Sequence, residues 1–195
     1  MSKRFENRRI RMLMAMLLLA SIAPALAQIE RQHGAHVHGT SIVDIALDGK
    51  ALTIHLDAPG VNLLGFEHVP RDAVERANVA TVLADLNAPS AWLRPAAAAE
   101  CRLVHVNVES KGSGYVTSAK SNSTGYREPA SAEAHADFDA DYTFECAQPE
   151  RLDNIDIQLI ARYPATRIVT VNIASGAGQT TVDLSGNNTR AVFPQ

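Results

Sequence analysis

The chain has 195 residues, of which 46% are hydrophobic and 5% aromatic, and its formal net charge at pH 7 is −3. A mildly acidic chain without a basic stripe lacks the charge that holds nucleic acid, so nucleic-acid binding is excluded. The length suits one domain with a buried core of its own.

The first 27 residues are typical of a cleaved secretory signal peptide. Five basic residues lie between Lys3 and Arg11, an apolar run follows at 13–20, and the segment ends in Ala25-Leu26-Ala27. The apolar run is too short to span the ~30 Å hydrocarbon core of a membrane, which argues against the alternative of a permanent anchor. We therefore expect residues 28–195 to be exported to the periplasm, with no stable membrane anchor after cleavage.

The exported part is predicted to begin with a β-hairpin. Residues 41–47 and 51–57 alternate between apolar and polar side chains and flank Asp48-Gly49-Lys50, whose Asp-Gly chemistry is typical of a turn. In this hairpin the apolar side chains share one face, and His55 lies on the opposite, exposed face.

A helix is predicted over 70–86. Pro70 suits a first helical turn, and Pro89 ends the pattern. The apolar residues fall on one stripe at helical spacing: Val79, Val82, Leu83 and Leu86.

The two cysteines, Cys101 and Cys146, lie in two further predicted strands, 101–109 and 137–146. Two cysteines in an oxidising compartment indicate a disulfide. An antiparallel register with Cys101 opposite Cys146 also places Leu103 opposite Phe144 and His105 opposite Tyr142, which predicts that His105 is hydrogen-bonded near the core. The alternative of a redox or metal-binding thiol pair lacks a C-x-x-C spacing.

The rest of the chain is predicted to be loop and strand. Segment 110–136 is rich in small and polar residues and predicts a long, mobile loop. Strands are predicted at 155–160, 167–174 and 179–184. The sequence therefore predicts a mainly β (α+β) fold, with 28–195 as a single antiparallel β-sandwich-like domain that packs one helix.

Three histidines, His33, His36 and His38, lie within six residues shortly after the predicted cleavage site. Neutral imidazole is the commonest protein ligand for zinc and similar metals, and short histidine-rich tracts are typical of metal binding. In an extended chain His36 and His38 point to the same side, and Gly34 lets His33 fold back. The alternative is a polar N-terminal segment whose histidines are incidental.

Two other segments carry metal-ligand side chains. Glu67 and His68 precede the predicted helix, and His135 and Asp137 enter the strand that ends at Cys146. Carboxylate oxygen and imidazole nitrogen both suit zinc. A carboxylate and a histidine beside a helix could equally be a cap or a surface pair.

The sequence resembles the ZrgA-like family of zinc-regulated periplasmic zinc-binding proteins. The resemblance is carried by residues 33–39 (HGAHVHG), Gly65-Phe66-Glu67-His68, residues 135–138 (HADF), residues 142–146 (YTFEC) and Cys101. It implies an exported protein that binds zinc and serves zinc acquisition or delivery, with a zinc uptake transporter or receptor as partner. The implied ligands are His33, His36, His38, Glu67, His68, His135 and Asp137.

One departure from the family pattern concerns the segment between the two cysteine strands. Family members commonly carry a histidine- and aspartate-rich tract there, whereas residues 110–134 contain no histidine. The remaining histidines favour one ordered site, or a role other than metal storage.

An enzyme is not predicted. The sequence has no H-E-x-x-H, no G-x-S-x-G and no glycine-rich phosphate loop. Two alternatives stay open: a zinc metallohydrolase, because a three-ligand zinc keeps a position for water, and a structural periplasmic domain with incidental histidines.

Overall fold

A computed structural model of the chain describes residues 37–118, 123–126 and 135–195. These residues belong to one compact unit, Ala35–Gln195. The predicted signal peptide over 1–27 and the candidate ligands His33 and His36 lie outside the described residues and stay predictions.

Strands dominate the described residues, and the largest sheet has six of them. They are β1 (Thr40–Asp48), β2 (Ala51–Pro59), β4 (Cys101–Lys111), β7 (Asp137–Cys146), β9 (Ile168–Ser175) and β10 (Gly178–Ser185). Their order across the sheet is β10-β9-β1-β2-β7-β4. Neighbouring strands are antiparallel except β1 and β9, which are parallel.

Shorter elements complete the described fold. A second sheet has three strands, namely β3 (Leu93–Pro95), β8 (Asn154–Ile157) and β11 (Arg190–Val192). A third pairs β5 (Tyr115–Ser118) with β6 (Ser123–Tyr126). The helices are α1 (Gly60–Leu64), α2 (Ala73–Asn87) and α3 (Leu159–Arg162). The mainly β, sandwich-like fold with a packed helix is thus confirmed, and within the described residues no helix is both long and apolar enough to span a membrane.

The first hairpin forms with the predicted register. Val43 lies opposite Leu56, Ile45 opposite Ile54 and Leu47 opposite Leu52. The chain reverses at Gly49, where φ is 56°, a left-handed conformation that glycine adopts without a steric cost. One face of the six-stranded sheet is therefore apolar and buried, and the other, which we call the outer face, is polar.

Helix α2 packs its apolar stripe into the single core. The stripe is the predicted one: Val79, Val82, Leu83 and Leu86 are buried. The helix begins at Ala73 and not at Pro70, because the side chain of Asp72 accepts hydrogen bonds from the backbone N–H of Val74 and Glu75, each at 2.8 Å. The buried hydroxyl of Tyr142 donates to the backbone oxygen of Leu86 at 2.9 Å, which ties the helix to β7.

Cys101 and Cys146 form the predicted disulfide between β4 and β7. They lie directly opposite each other, and Leu103 lies opposite Phe144 as predicted. The bond joins residues separated by 45 positions. A loop of that length predicts a stabilisation of about 4 kcal/mol on the chain-entropy model.

The predicted partner of His105 is wrong. A register shift between Leu103 and His105 places His105 opposite Thr143, and Val106 takes the position opposite Tyr142. A β-bulge of this kind moves every later side chain to the other face. His105 is therefore exposed on the outer face and not near the core.

Two other segments differ from the sequence prediction. The predicted strand 155–160 ends at Ile157, and the chain then enters α3. The segment 110–136, predicted as a loop, begins with the last two residues of β4 and holds the paired strands β5 and β6. In its described part it is therefore not structureless.

Candidate metal centre

Glu67 brings together two histidines from distant parts of the chain. Nε2 of His38 lies 2.6 Å from Oε1 of Glu67, and Nδ1 of His135 lies 3.2 Å from its Oε2. The two histidine side chains are 63% and 75% exposed, whereas the Glu67 side chain is 22% exposed. Three of the predicted ligands therefore meet at one half-buried carboxylate.

Hydrogen bonds of one buried side chain fix the segment that carries His38. The side chain of Asn62, in α1, is buried, and its Oδ1 accepts the backbone N–H of Gly39 at 2.7 Å. Its Nδ2 donates to the backbone oxygen of Thr40 at 2.8 Å and to the hydroxyl of Ser41 at 3.1 Å. Asn62 thus clamps residues 39–41, at the start of β1 and directly after His38.

A second set of contacts fixes His135 beside Glu67. The backbone N–H of Ala136 donates to the backbone oxygen of Glu67 at 2.7 Å, and the backbone N–H of Gly60 donates to the backbone oxygen of Ala136 at 2.6 Å. Cβ atoms at Gly60 and Gly112 would overlap the carbonyl groups of Ala136 and His135 respectively, so both positions need glycine for close backbone approach. Sequence reasoning missed these positioning residues because their partners are far away in the chain.

Two predicted ligands point elsewhere. His68 stacks on Phe66 with ring centroids 4.8 Å apart, and its Nδ1 lies 3.0 Å from the backbone oxygen of Val69 and 3.7 Å from Oε2 of Glu75. It therefore faces the first turn of α2. Asp137 lies on the outer face of the sheet, opposite Pro59 of β2 and Lys111 of β4. The contacts of His68 thus lie away from Glu67, and the strand register places Asp137 on the outer face.

The donor set at Glu67 suits zinc, although it is not closed around an ion. Imidazole nitrogen and carboxylate oxygen are both zinc ligands. In the structure the two histidines bind the carboxylate itself, and the described residues hold no group of three His, Cys, Asp or Glu arranged around one ion. A metal would replace the two histidine–carboxylate contacts, and further ligands would come from outside these three residues.

A second polar cluster lies on the outer face around His55, and the prediction that His55 is exposed is wrong. Its side chain is 13% exposed because β7 places carboxylates beside it. Nδ1 of His55 lies 2.8 Å from Oδ1 of Asp141, and Nε2 lies 3.9 Å from Oδ1 of Asp139. Period-two acidic residues on β7 were the signal that could have located this cluster.

Lys111 supplies a positive charge to the same cluster. Its Nζ lies 2.8 Å from Oδ2 of Asp139, whose side chain is 11% exposed. The hydrogen bond to Asp139 raises the pKa of Lys111 above its ordinary value, and burial opposes that rise.

The chain matches a known protein family. A family model described as ZrgA family zinc uptake protein matches residues 35–193. No curated protein matches the chain. Because the family match covers most of the chain, the chain belongs to the ZrgA family of zinc uptake proteins. The resemblance seen in the sequence is thereby confirmed, and membership indicates a role in zinc uptake.

Proposed function

We propose that this chain is an exported, periplasmic zinc-binding protein that captures zinc and passes it to an uptake transporter or receptor. The observation that carries the proposal is the contact of His38 and His135 with the two oxygens of Glu67. The family match supports zinc as the cargo. The disulfide between Cys101 and Cys146 supports an oxidising compartment.

In the proposed site, zinc binds one oxygen of Glu67 and one nitrogen each of His38 and His135. A tetrahedral zinc takes about four ligands, and either His36 or His33 supplies the fourth. His36 is two residues before His38, which in an extended segment places both imidazoles on the same side. Both ligand histidines of the described residues are largely exposed, which suits an ion that must be handed to a partner.

The proposal is tested by zinc titration against a chelator of known affinity, with protein purified without a histidine tag. Glu67→Gln removes the anionic ligand and the group that holds both histidines. We expect zinc affinity to fall at least tenfold, which corresponds to about 1.4 kcal/mol. The matched control is Glu145→Gln, because Glu145 is an exposed residue of β7 that pairs with Arg102 at 3.2 Å. Its affinity is expected to stay within twofold of the unchanged protein.

Replacement of His36 and His38 together by alanine should also weaken zinc binding at least tenfold. Binding should fall as the pH drops through about 6.5, because protonated imidazole cannot coordinate a metal. If Glu67→Gln leaves the affinity within twofold while the double histidine change abolishes it, the N-terminal histidines bind zinc alone and the proposed centre is wrong. Absence of micromolar zinc binding would favour a structural domain with incidental histidines.

Two histidines and one glutamate are also the protein ligands of some hydrolytic zinc centres. We propose that the chain is not an enzyme, because its family is described by zinc uptake. Hydrolysis of a model ester by the zinc-loaded protein, lost in Glu67→Gln, would contradict this part of the proposal.

A further inference from the structure

We propose that the outer face of the six-stranded sheet carries a second, open metal site, formed by His55 of β2 and Asp139 of β7. Its ligand is a borderline divalent cation such as Zn²⁺. The choice of zinc rests on the proposed function, whereas the site itself rests on side chains separate from Glu67, His38 and His135.

The hydrogen bond to Asp141 sets the orientation of the His55 lone pair. A carboxylate can only accept, so the 2.8 Å contact makes Nδ1 of His55 the donor. In the neutral ring the lone pair then lies on Nε2, which is the atom nearest Asp139. A histidine that donates one ring nitrogen to a carboxylate and offers the other to an ion is the usual arrangement at metal sites.

The gap between His55 and Asp139 has the size of a bound ion. Nε2 and Oδ1 are 3.9 Å apart, which is too long for a hydrogen bond. Two acceptors that face each other repel unless a proton or a cation lies between them. Zinc–nitrogen and zinc–oxygen bonds are each about 2.0–2.2 Å, so an ion fits between the two atoms with a small movement of either side chain.

Burial and charge favour a cation at this position. The side chains of His55 and Asp139 are 13% and 11% exposed, and buried charges in proteins are paired or bind metals. Asp57 on β2 and Glu109 on β4 lie opposite Asp139 and share its face of the sheet. Among the described residues of this cluster, these two carboxylates, Asp139 and Asp141 share the ammonium group of Lys111, which pairs with Asp139. The negative charge of the cluster therefore exceeds that positive charge, and the local field attracts a further cation.

The site is open, because it offers two protein ligands and leaves the other positions to water. We therefore expect weaker and faster-exchanging binding than at Glu67. Four residues of extended chain separate Asp139 from His135, which is about 13 Å. The protein would thus hold a second, labile ion on β7, the strand that follows His135 of the main centre.

The test is a zinc titration of the exported protein followed by nitrogen NMR of the histidine side chains. On saturation with Zn²⁺ we expect the Nε2 resonance of His55 to shift strongly, with Nδ1 still protonated. His55→Asn keeps an amide N–H for Asp141 and removes the ligand atom, so it should weaken the second binding step at least tenfold. The matched control is His105→Asn, which replaces an exposed histidine of the same face and should change neither step.

Two further variants show whether the second binding step is independent of the main centre and whether the cluster around His55 binds zinc or is only structural. Glu67→Gln should weaken the tight step at least tenfold and leave the His55 shift, so failure of either proposal is visible without the other. Lys111→Met removes the ammonium group beside Asp139 and should tighten the second step by about threefold or more. If the His55 resonances do not respond to zinc, the second site is refuted. An unchanged second step in folded His55→Asn protein, checked by circular dichroism, would refute it equally.

Discussion

Asn62 is expected to control both the stability of β1 and the affinity for zinc, and Asn62→Ala tests this. The side chain is 1% exposed and makes three hydrogen bonds, to Gly39, Thr40 and Ser41. A typical intramolecular hydrogen bond contributes about 0.5–1.5 kcal/mol, and a buried group left without its partner costs more. We therefore expect the free energy of unfolding to fall by about 2–4 kcal/mol, which a domain with the usual 5–15 kcal/mol of stability survives.

The effect on zinc follows from the position of the clamp. Asn62 holds Gly39, and His38 is the adjacent residue. Loss of the clamp lets His38 move away from Glu67 without removing a ligand. We expect the zinc affinity to fall about threefold to tenfold, which is less than the 10–100-fold typical of a group bonded directly to a ligand.

The two effects are measured by urea unfolding and by chelator competition on the same preparations. Asn172→Ala is the control, because Asn172 donates to Asp44 at 2.8 Å on the outer face and does not contact the β1 entry. A loss of stability with the zinc affinity unchanged would show that Asn62 supports the strand only. A weak hydrogen bond contributes about 0.5 kcal/mol. If Asn62→Ala lowers the free energy of unfolding by less than that, Asn62 does not hold β1 in place.

Two further predictions concern backbone approach and pH. Gly60→Ala should lower both the free energy of unfolding and the zinc affinity, because a Cβ would overlap the carbonyl of Ala136 beside His135. The control is Gly176→Ala, which has open space at the Cβ position and should change neither quantity in the same urea and zinc titrations. Burial raises the pKa of Tyr142 above its ordinary value, so the folded state keeps the neutral phenol while the unfolded chain ionises. The free energy of unfolding should therefore fall as the pH rises above about 10, and Tyr142→Phe should flatten that dependence in alkaline unfolding curves; an equally steep curve would contradict it.

The sequence pattern predicts those parts of the fold that depend on near neighbours. The register of β1 with β2 follows from strict alternation and a short turn, and the buried stripe of α2 follows from helical spacing. The disulfide is predictable because its two strands also alternate. In each case only one strand register or helix orientation buries the apolar side chains.

Features that depend on distant partners are not predictable in this way. The bulge beside Val104 places His105 on the exposed outer face and not near the core, where the alternation predicts it. No residue type in that stretch requires a bulge. The parallel pairing of β1 with β9 joins the two ends of the domain, and nothing local specifies it. His55 is covered only because β7, more than 80 positions later, places Asp139 and Asp141 beside it.

The candidate site shows the same division. Glu67 and His135 are recognisable as metal-ligand residue types, but their meeting depends on the backbone bonds of Gly60 and Ala136. His68 has the same chemistry as His135, yet stacking on Phe66 directs it to α2. Residue type therefore narrows the ligand candidates, and backbone contacts choose among them.

The contacts of Glu67 affect both how tightly the proposed centre would bind zinc and how readily it would release it. Without metal, Glu67 already binds His38 and His135, so the two imidazoles are placed before the ion arrives. Zinc must displace both contacts, and this competition lowers its net affinity relative to a site whose ligands have no other partners. On release the same contacts re-form and compensate for part of the lost metal bonds. Because both imidazoles are largely exposed, a partner's ligands would approach the ion from solvent while the contacts of Glu67 with the two histidines re-form. The proposed centre would therefore favour release of zinc over permanent retention, in line with the family's role in zinc uptake.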